Sequence, residues 1–402
     1  MPPTEKLERI RSYCARIRTL RFRASNVSNW GSGTVAVFRA LCNDKLDQYF
    51  PIATPLPSLG LFPNLHTLEW KAKNAPSYAG GTLDAVSYFL SPSLKRLYVS
   101  GIVGRMIRQG YRSLYSNPSV DYASFFRALN DTKGLRLESL DLRGYTVNAA
   151  QELELGDEVA LFLHEHRDNL LHFYTWTPVF VRLFRQELWE LSRLRSLEVI
   201  ADDELQAARF VEGLVHGAAE MEDLNLTVLP YREPCQWQGL WDALKGLRKL
   251  TKLRLAVPEV HELGEKDARS MREAWPALSH LYIVLISGDW RGFRRESQRG
   301  LSSKFLSAIS CYFSQSLTTL GLCFEPKIRS ELQISPVRFE KLQLLYLQPL
   351  GPVDDPYSLA KYLAHILPPG ANLKGNWYYN WEQVVQCLER ERAKLITSET
   401  PY

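Results

Sequence analysis

The sequence predicts an α/β solenoid, on three observations. A short apolar pattern, L-x-x-L-x-L, returns along the 402-residue chain. The spacing is irregular, and from residue 173 onward it settles to 24–29 residues with one longer step. Between copies the apolar period changes from two residues to about 3.6, which marks helices. Within the pattern the last two apolar positions alternate with the pleat of a strand, and the first turns the chain into it. Each copy is therefore one strand, and each interval is one coil of a leucine-rich-repeat horseshoe, with a parallel concave sheet and convex helices.

The chain opens with Thr4–Leu20, read as an amphipathic helix through Leu7, Ile10, Cys14 and Ile17, with Thr4 as N-cap. It leads into the earliest strand candidate, Ile17, Leu20 and Phe22. Clear copies follow at Leu65, Leu68 and Trp70; Leu94, Leu97 and Val99; and Leu137, Leu140 and Leu142. Later ones fall at Leu194, Leu197 and Val199; Leu250, Leu253 and Leu255; Leu317, Leu320 and Leu322; and Leu342, Leu345 and Leu347. Weaker copies in phase are Leu170, Phe173 and Thr175; Met221, Leu224 and Leu226; and Leu278, Leu281 and Ile283. The second motif position falls at residues 173, 197, 224, 253, 281, 320 and 345, steps of 24, 27, 29, 28, 39 and 25. These bracket the ordinary leucine-rich-repeat period, with one insertion. The steps before residue 173 are longer, as loop insertions would make them. Eleven such rows, about 4.8 Å apart, would form a ladder on the order of 50 Å long.

Helical periodicity is clearest over 204–215, with Asp203 as N-cap, and over Leu240–Leu244. Further helices are expected around Phe125–Leu129, Val159–His164, Phe180–Leu191, Phe305–Phe313 and Tyr357–Leu367. An aromatic strand beginning at Leu373, followed by a helix through Val384, Val385 and Leu388, reads as a terminal cap, since an uncapped repeat would expose its core. The expected organisation is a capping helix and first strand over residues 1–24, an array with loop insertions over 25–350, and a C-terminal cap over 351–402.

Composition is that of a soluble folded chain, 45% hydrophobic and 23% charged, with a formal net charge of +5. That charge is too mild to argue for nucleic acid by itself. Six cysteines without CxxC spacing read as reduced thiols of a cytoplasmic or nuclear protein. No run of 18 apolar residues suggests a membrane span, and the first twenty residues are too charged for a signal peptide. The sequons at Asn26, Asn130 and Asn225 therefore carry little weight.

The residues between the strand leucines line the concave face. Those expected to meet a partner are Glu69, Arg96, Tyr98, Asp141, Arg143, Tyr174, Trp176, Glu198, Asn225, Arg254, Tyr282 and Tyr346. Tyrosine, tryptophan and arginine are the types enriched in binding hot spots. Two basic clusters stand apart: seven Lys and Arg within residues 1–23, and the loop carrying Arg291, Arg294 and Arg295 beside Trp290 and Phe293. His164, Glu165 and His166 invite a metal reading, but positions two apart on a helix diverge, so a solvated helix end is expected. No nucleophile elbow, phosphate loop or dinucleotide motif is present, and no enzyme activity, cofactor or metal is expected.

Tyr13 to Leu20, a basic amphipathic run entering the first strand, resembles the stretch that follows the F-box in fungal F-box/leucine-rich-repeat proteins. Leu61–Trp70 and Phe89–Leu97 are similar to the first strong repeats of that group, and Leu367-Pro368-Pro369-Gly370 to its terminal repeat. The resemblance implies a module that recruits substrates to a ubiquitin ligase. It also implies an F-box upstream that docks the ligase adaptor, whereas the array here begins within about twenty residues of Met1. The expected function is protein recognition on the concave face, with adaptor docking dependent on an upstream F-box. Two alternatives are a small-GTPase regulator, although Arg390–Tyr402 carries no acidic run, and a nucleic-acid-binding scaffold using the basic clusters.

Overall fold

A computed structural model describes residues 9, 12–24, 62–72, 86, 89–101, 122–142, 152–175, 181, 191–229, 237–260, 263–286, 300–325, 337–350, 353–375 and 380–399. The fold is an α/β leucine-rich-repeat solenoid with twelve parallel strands among the described residues. The chain divides into one compact unit ending at Ile200 and a second beginning at Ala201.

In the first unit the strands are β1 (Thr19–Ala24), β2 (Thr67–Ala72), β3 (Arg96–Gly101), β4 (Ser139–Leu142), β5 (His172–Thr175) and β6 (Ser196–Ala201), adjacent in chain order. Helices α1 (Tyr122–Asp131) and α2 (Glu152–His166) follow β3 and β4 and pack on each other. The second unit holds β7 (Asp223–Val228), β8 (Lys252–Val257), β9 (His280–Leu285), β10 (Thr319–Phe324), β11 (Leu344–Pro349) and β12 (Asn372–Gly375), again in order. Its helices are α3 (Glu204–Gly217), α4 (Trp237–Lys245), α5 (Glu265–Ala274), α6 (Ser303–Phe313), α7 (Pro356–Ile366) and α8 (Trp381–Glu399).

The register explains why leucine dominates. Leu68 pairs with Leu97, Leu97 with Leu140, and Leu140 with Phe173; in the second unit Leu224, Leu253, Leu281, Leu320 and Leu345 follow one another across the strands. All of these side chains are buried, and each such burial contributes about 1.5–3 kcal/mol. The leading motif residues Leu65, Leu94, Leu137, Leu194, Leu250, Leu278, Leu317 and Leu342 are buried too. Several close a tight turn, as in Leu94 N–H to Ser91 O at 3.0 Å and Leu194 N–H to Leu191 O at 3.0 Å.

One carbonyl per coil then aligns the next strand, using both of its lone pairs. Arg18 O accepts from the amides of His66 and Thr67, and His66 O from those of Lys95 and Arg96. Thr251 O accepts likewise from Ser279 and His280. In the second unit hydroxyls reinforce this spine: Thr251 Oγ1 donates to Glu222 O, Ser279 Oγ to Thr251 O, and Thr318 Oγ1 to Ser279 O, at 3.0–3.1 Å.

Most expected helices form where the periodicity placed them. Asp203 caps α3 by accepting from the Gln206 amide at 2.7 Å, and Asp355 caps α7 through the Ser358 amide at 3.0 Å. The expected helix over Phe180–Leu191 lies outside the described residues except for Val181 and Leu191. The N-terminal helix expected over Thr4–Leu20 is shorter than read: helix ends at Cys14, a turn closed by Arg16 N–H to Tyr13 O and Ile17 N–H to Cys14 O follows, and β1 begins at Thr19. Helix α5 has no counterpart in the sequence reading. It buries only Ala268, Met271 and Ala274, a narrow stripe among charged residues that gives little periodic signal. The twelfth strand was also read only as part of a cap. In β12, Leu373 pairs with Leu345, while Gly375 occupies the next inward position beside Leu347. The buried Trp381 ring takes that space: a Cβ on Gly375 would lie 2.7 Å from Trp381 Nε1. The aromatic thus finishes the core.

Candidate partner-binding face

The period of two that sends leucines inward sends the intervening residues to the opposite face of the sheet. Glu69, Arg96, Tyr98, Asp141, Tyr174, Glu198, Asn225, Arg254, Tyr282 and Tyr346 all occupy these outward positions. Arg143, Trp176, Arg291, Arg294 and Arg295 lie outside the described residues.

In the first unit the middle outward row runs Arg21, Glu69, Tyr98, Asp141, Tyr174 and Glu198. Glu69 accepts from Arg21 Nε at 3.0 Å and has Lys71 Nζ at 4.0 Å. Toward β6 the row becomes enclosed. Asp141 is 5% and Glu198 9% exposed, and they flank Tyr174 on either side. The rings of His172 and Tyr174, two apart on the same face, are parallel with centroids 6.4 Å apart.

In the second unit the corresponding row runs Asn225, Arg254, Tyr282, Gly321, Tyr346 and Lys374. Arg254 and Lys374 are exposed, and Tyr282 and Tyr346 are half-buried. The Arg254 guanidinium lies 5.9 Å from the Tyr282 ring centroid. Burial pushes both phenols above their ordinary pKa, with Arg254 pulling the other way. One position lower, Lys252 Nζ is 3.7 Å from Asp223, and Ser279 Oγ lies 2.8 Å from His280 Nδ1. Burial, with Lys252 nearby, lowers the His280 pKa. Gln348 plays a structural part: its amide reaches past β10 and pairs with both the N–H and C=O of Leu285, at 3.0 and 3.3 Å.

Two residues of this row were not singled out from sequence. Lys374 escaped because β12 lacks both flanking leucines of the motif, with Gly370 and Gly375 in their places. Gly321 lay on the expected face, but its role as a seat for the Tyr282 ring depends on side-chain geometry. His164 and Glu165 are exposed, as expected of a solvated helix end, but the structure corrects the reading for the second histidine. His166 is only 2% exposed, stacked on Phe162, with Nδ1 2.9 Å from Phe162 O, and burial lowers its pKa to about 4. It is a neutral core residue and not a solvated helix end. Among the described residues no group of three or more His, Cys, Asp or Glu could hold a metal ion, and no helix is long and apolar enough to cross a membrane.

No protein-family model matches the chain. No curated protein resembles it in sequence. Among solved structures it is similar to one described as the crystal structure of the Rad7 and Elc1 complex in yeast, at 13% identity and a TM-score of 0.44, with 94% of each chain covered.

Proposed function

We propose that this chain is a non-enzymatic recognition module that holds a protein partner against the outward face of its repeat sheet. The observation that carries this is the composition of that face. Row after row it presents tyrosine, arginine and short polar side chains on a rigid backbone, while the apolar residues of the same strands are consumed by the core. A rigid surface loses little conformational entropy on binding, and tyrosine and arginine suit hot spots. Contacts are assigned to Glu69, Arg96, Tyr98, Asp141, Arg143, Tyr174, Trp176, Glu198, Asn225, Arg254, Tyr282 and Tyr346, together with the basic cluster Arg291, Arg294 and Arg295. The array over residues 25–350 supplies the surface, and residues 1–24 and 351–402 close its ends. The free thiols Cys14, Cys311, Cys323 and Cys387 fit a reducing compartment, the cytoplasm or nucleus.

The resemblance of Tyr13–Leu20 and the early repeats to fungal F-box/leucine-rich-repeat proteins supports the finer reading that the partner is a substrate for ubiquitylation. The test is to purify the full chain with its partners, then repeat with Tyr98→Ala, Tyr174→Ala and Tyr346→Ala combined. Partners that disappear with the outward tyrosines, and that accumulate when the chain is depleted, support the reading. An unchanged partner set contradicts recognition on this face. Loss of binding without any change in partner turnover contradicts the ligase assignment alone.

A further inference from the structure

Within the second unit the middle outward row has a chemistry of its own. From β8 to β12 it reads Arg254, Tyr282, Gly321, Tyr346 and Lys374: two cations, two phenols and no carboxylate. Gly321 has no side chain to keep Tyr282 upright, so the ring reclines across it. A Cβ at Gly321 would fall 2.1 Å from Tyr282 Cδ1 and 2.6 Å from Cε1. The reclined ring in turn lies under the Arg254 guanidinium, 5.9 Å from its carbon, within cation–π range. Such a contact orients an arginine without neutralising it. The acid of the row below, Asp223, is engaged by Lys252 at 3.7 Å. Both phenols keep their protons at neutral pH, as tyrosine ordinarily does, and burial shifts them further that way, so each can donate a hydrogen bond. An exposed guanidinium, an exposed ammonium and two half-buried phenols therefore lie along one line.

We propose that Arg254, Tyr282, Tyr346 and Lys374 form a strip that binds an extended acidic segment of the partner through its carboxylate side chains. Charge complementarity selects this occupant, since charge-assisted hydrogen bonds to carboxylate are among the stronger polar contacts. Spacing agrees. Strands lie about 4.8 Å apart, so the strip spans roughly 19 Å, and alternate side chains of an extended peptide recur every ~7 Å on one face. Two or three acidic residues in alternation would meet the strip together. This inference rests on the partner-binding reading above and names the chemistry of the segment bound.

The test uses the full chain and a fluorescein-labelled peptide of alternating glycine and glutamate, read by polarisation. Its glutamine counterpart, a phosphoserine counterpart and a single-stranded oligothymidylate serve as competitors. Glutamate-dependent binding that weakens with salt is expected. Arg254→Ala removes the cation and Gly321→Ala displaces the Tyr282 ring at an outward position away from the core. Each should weaken binding by about tenfold, while Glu212→Gln, at an exposed position of α3, leaves it unchanged. Equal binding of the glutamine peptide, preference for phosphoserine or oligothymidylate, or wild-type binding by both variants would overturn the proposal. The broader reading is judged separately on the purified partners. If they depend on the outward tyrosines but ignore Arg254→Ala and Gly321→Ala, only the acidic-segment inference fails; if they ignore every outward substitution, both fail.

Discussion

The two units share one repeat and one register, yet their outward faces differ in kind. In the first, three carboxylates alternate with two tyrosines, and toward β6 the polar groups are nearly as buried as the leucines behind them. In the second, cations and tyrosines stand exposed or half-buried, and a glycine takes the place of a side chain between them. The strand edges differ too. A ladder of hydroxyls from Thr251 to Thr318 locks the second unit, whereas the first has the Lys95–Glu138 ion pair at the equivalent edge, 2.9 Å long. The inward rows therefore specify the fold identically in both halves, and the outward rows are free to diverge. Asp141 and Glu198 would meet a partner only through the small area they leave exposed, whereas Arg254 and Lys374 stand open to it.

The largest effect should come from the rows the units share. Leu97→Ala in β3 and Leu253→Ala in β8, both buried at matching motif positions, should each cost about 2–5 kcal/mol. Amide exchange resolved by unit would show whether each loss is confined to its own half. A large difference between the two would break the equivalence of the inward rows.

Next comes a pH effect expected in the first unit. His166 has its pKa lowered to about 4, because burial disfavours the charged ring. Between pH 6.5 and 4 the unfolded chain therefore binds a proton that the folded chain refuses, so stability falls as pH drops through this window and levels off below it. The loss approaches about 3 kcal/mol. Protection of the α2 amides, corrected for the intrinsic exchange rate at each pH, should fall over this range, and His166→Leu should flatten the profile. An unchanged profile in that variant would assign the acid sensitivity elsewhere.

Smaller effects sharpen the contrast at the strand edges. Thr318→Val removes one rung of the hydroxyl ladder and should cost about 0.5–1.5 kcal/mol. Lys95→Ala breaks an exposed ion pair and should cost no more than about 1 kcal/mol. Thermal unfolding of the two variants side by side measures the difference; a costlier loss at Lys95 would reverse the assignment of rigidity to the second unit.

The repeat was legible in the sequence because burial acts on one face of every strand, so leucine marks each coil at residues such as Leu140, Leu197 and Leu320. Capping was legible at Asp203 because an N-cap is a local interaction. Helix α5 was not, since three small or flexible residues suffice to dock it. Strand β12 was legible as the strand of a cap but not as a further rung of the repeat, because Trp381, distant by several residues, supplies the bulk that Gly375 lacks. The outward face could be assigned by alternation alone, which placed Tyr282 and Tyr346 correctly on it. Alternation cannot tell an outward residue in solvent from one that is enclosed, so Asp141 and Arg254 looked equivalent. Nor does it reveal that a ring lies down upon Gly321, which depends on packing between neighbouring strands.

The most direct test of the account is photo-crosslinking in cells, with a benzophenone amino acid placed singly at Tyr98, Tyr282 and Tyr346 on the sheet and at the exposed helix residues Leu161 and Leu205. The account predicts covalent capture of a common protein partner from the sheet positions, strongest in the second unit, and background levels from the helices. Capture of that partner from Leu161 or Leu205, with none from the tyrosine positions, would place recognition on the helical side and contradict it.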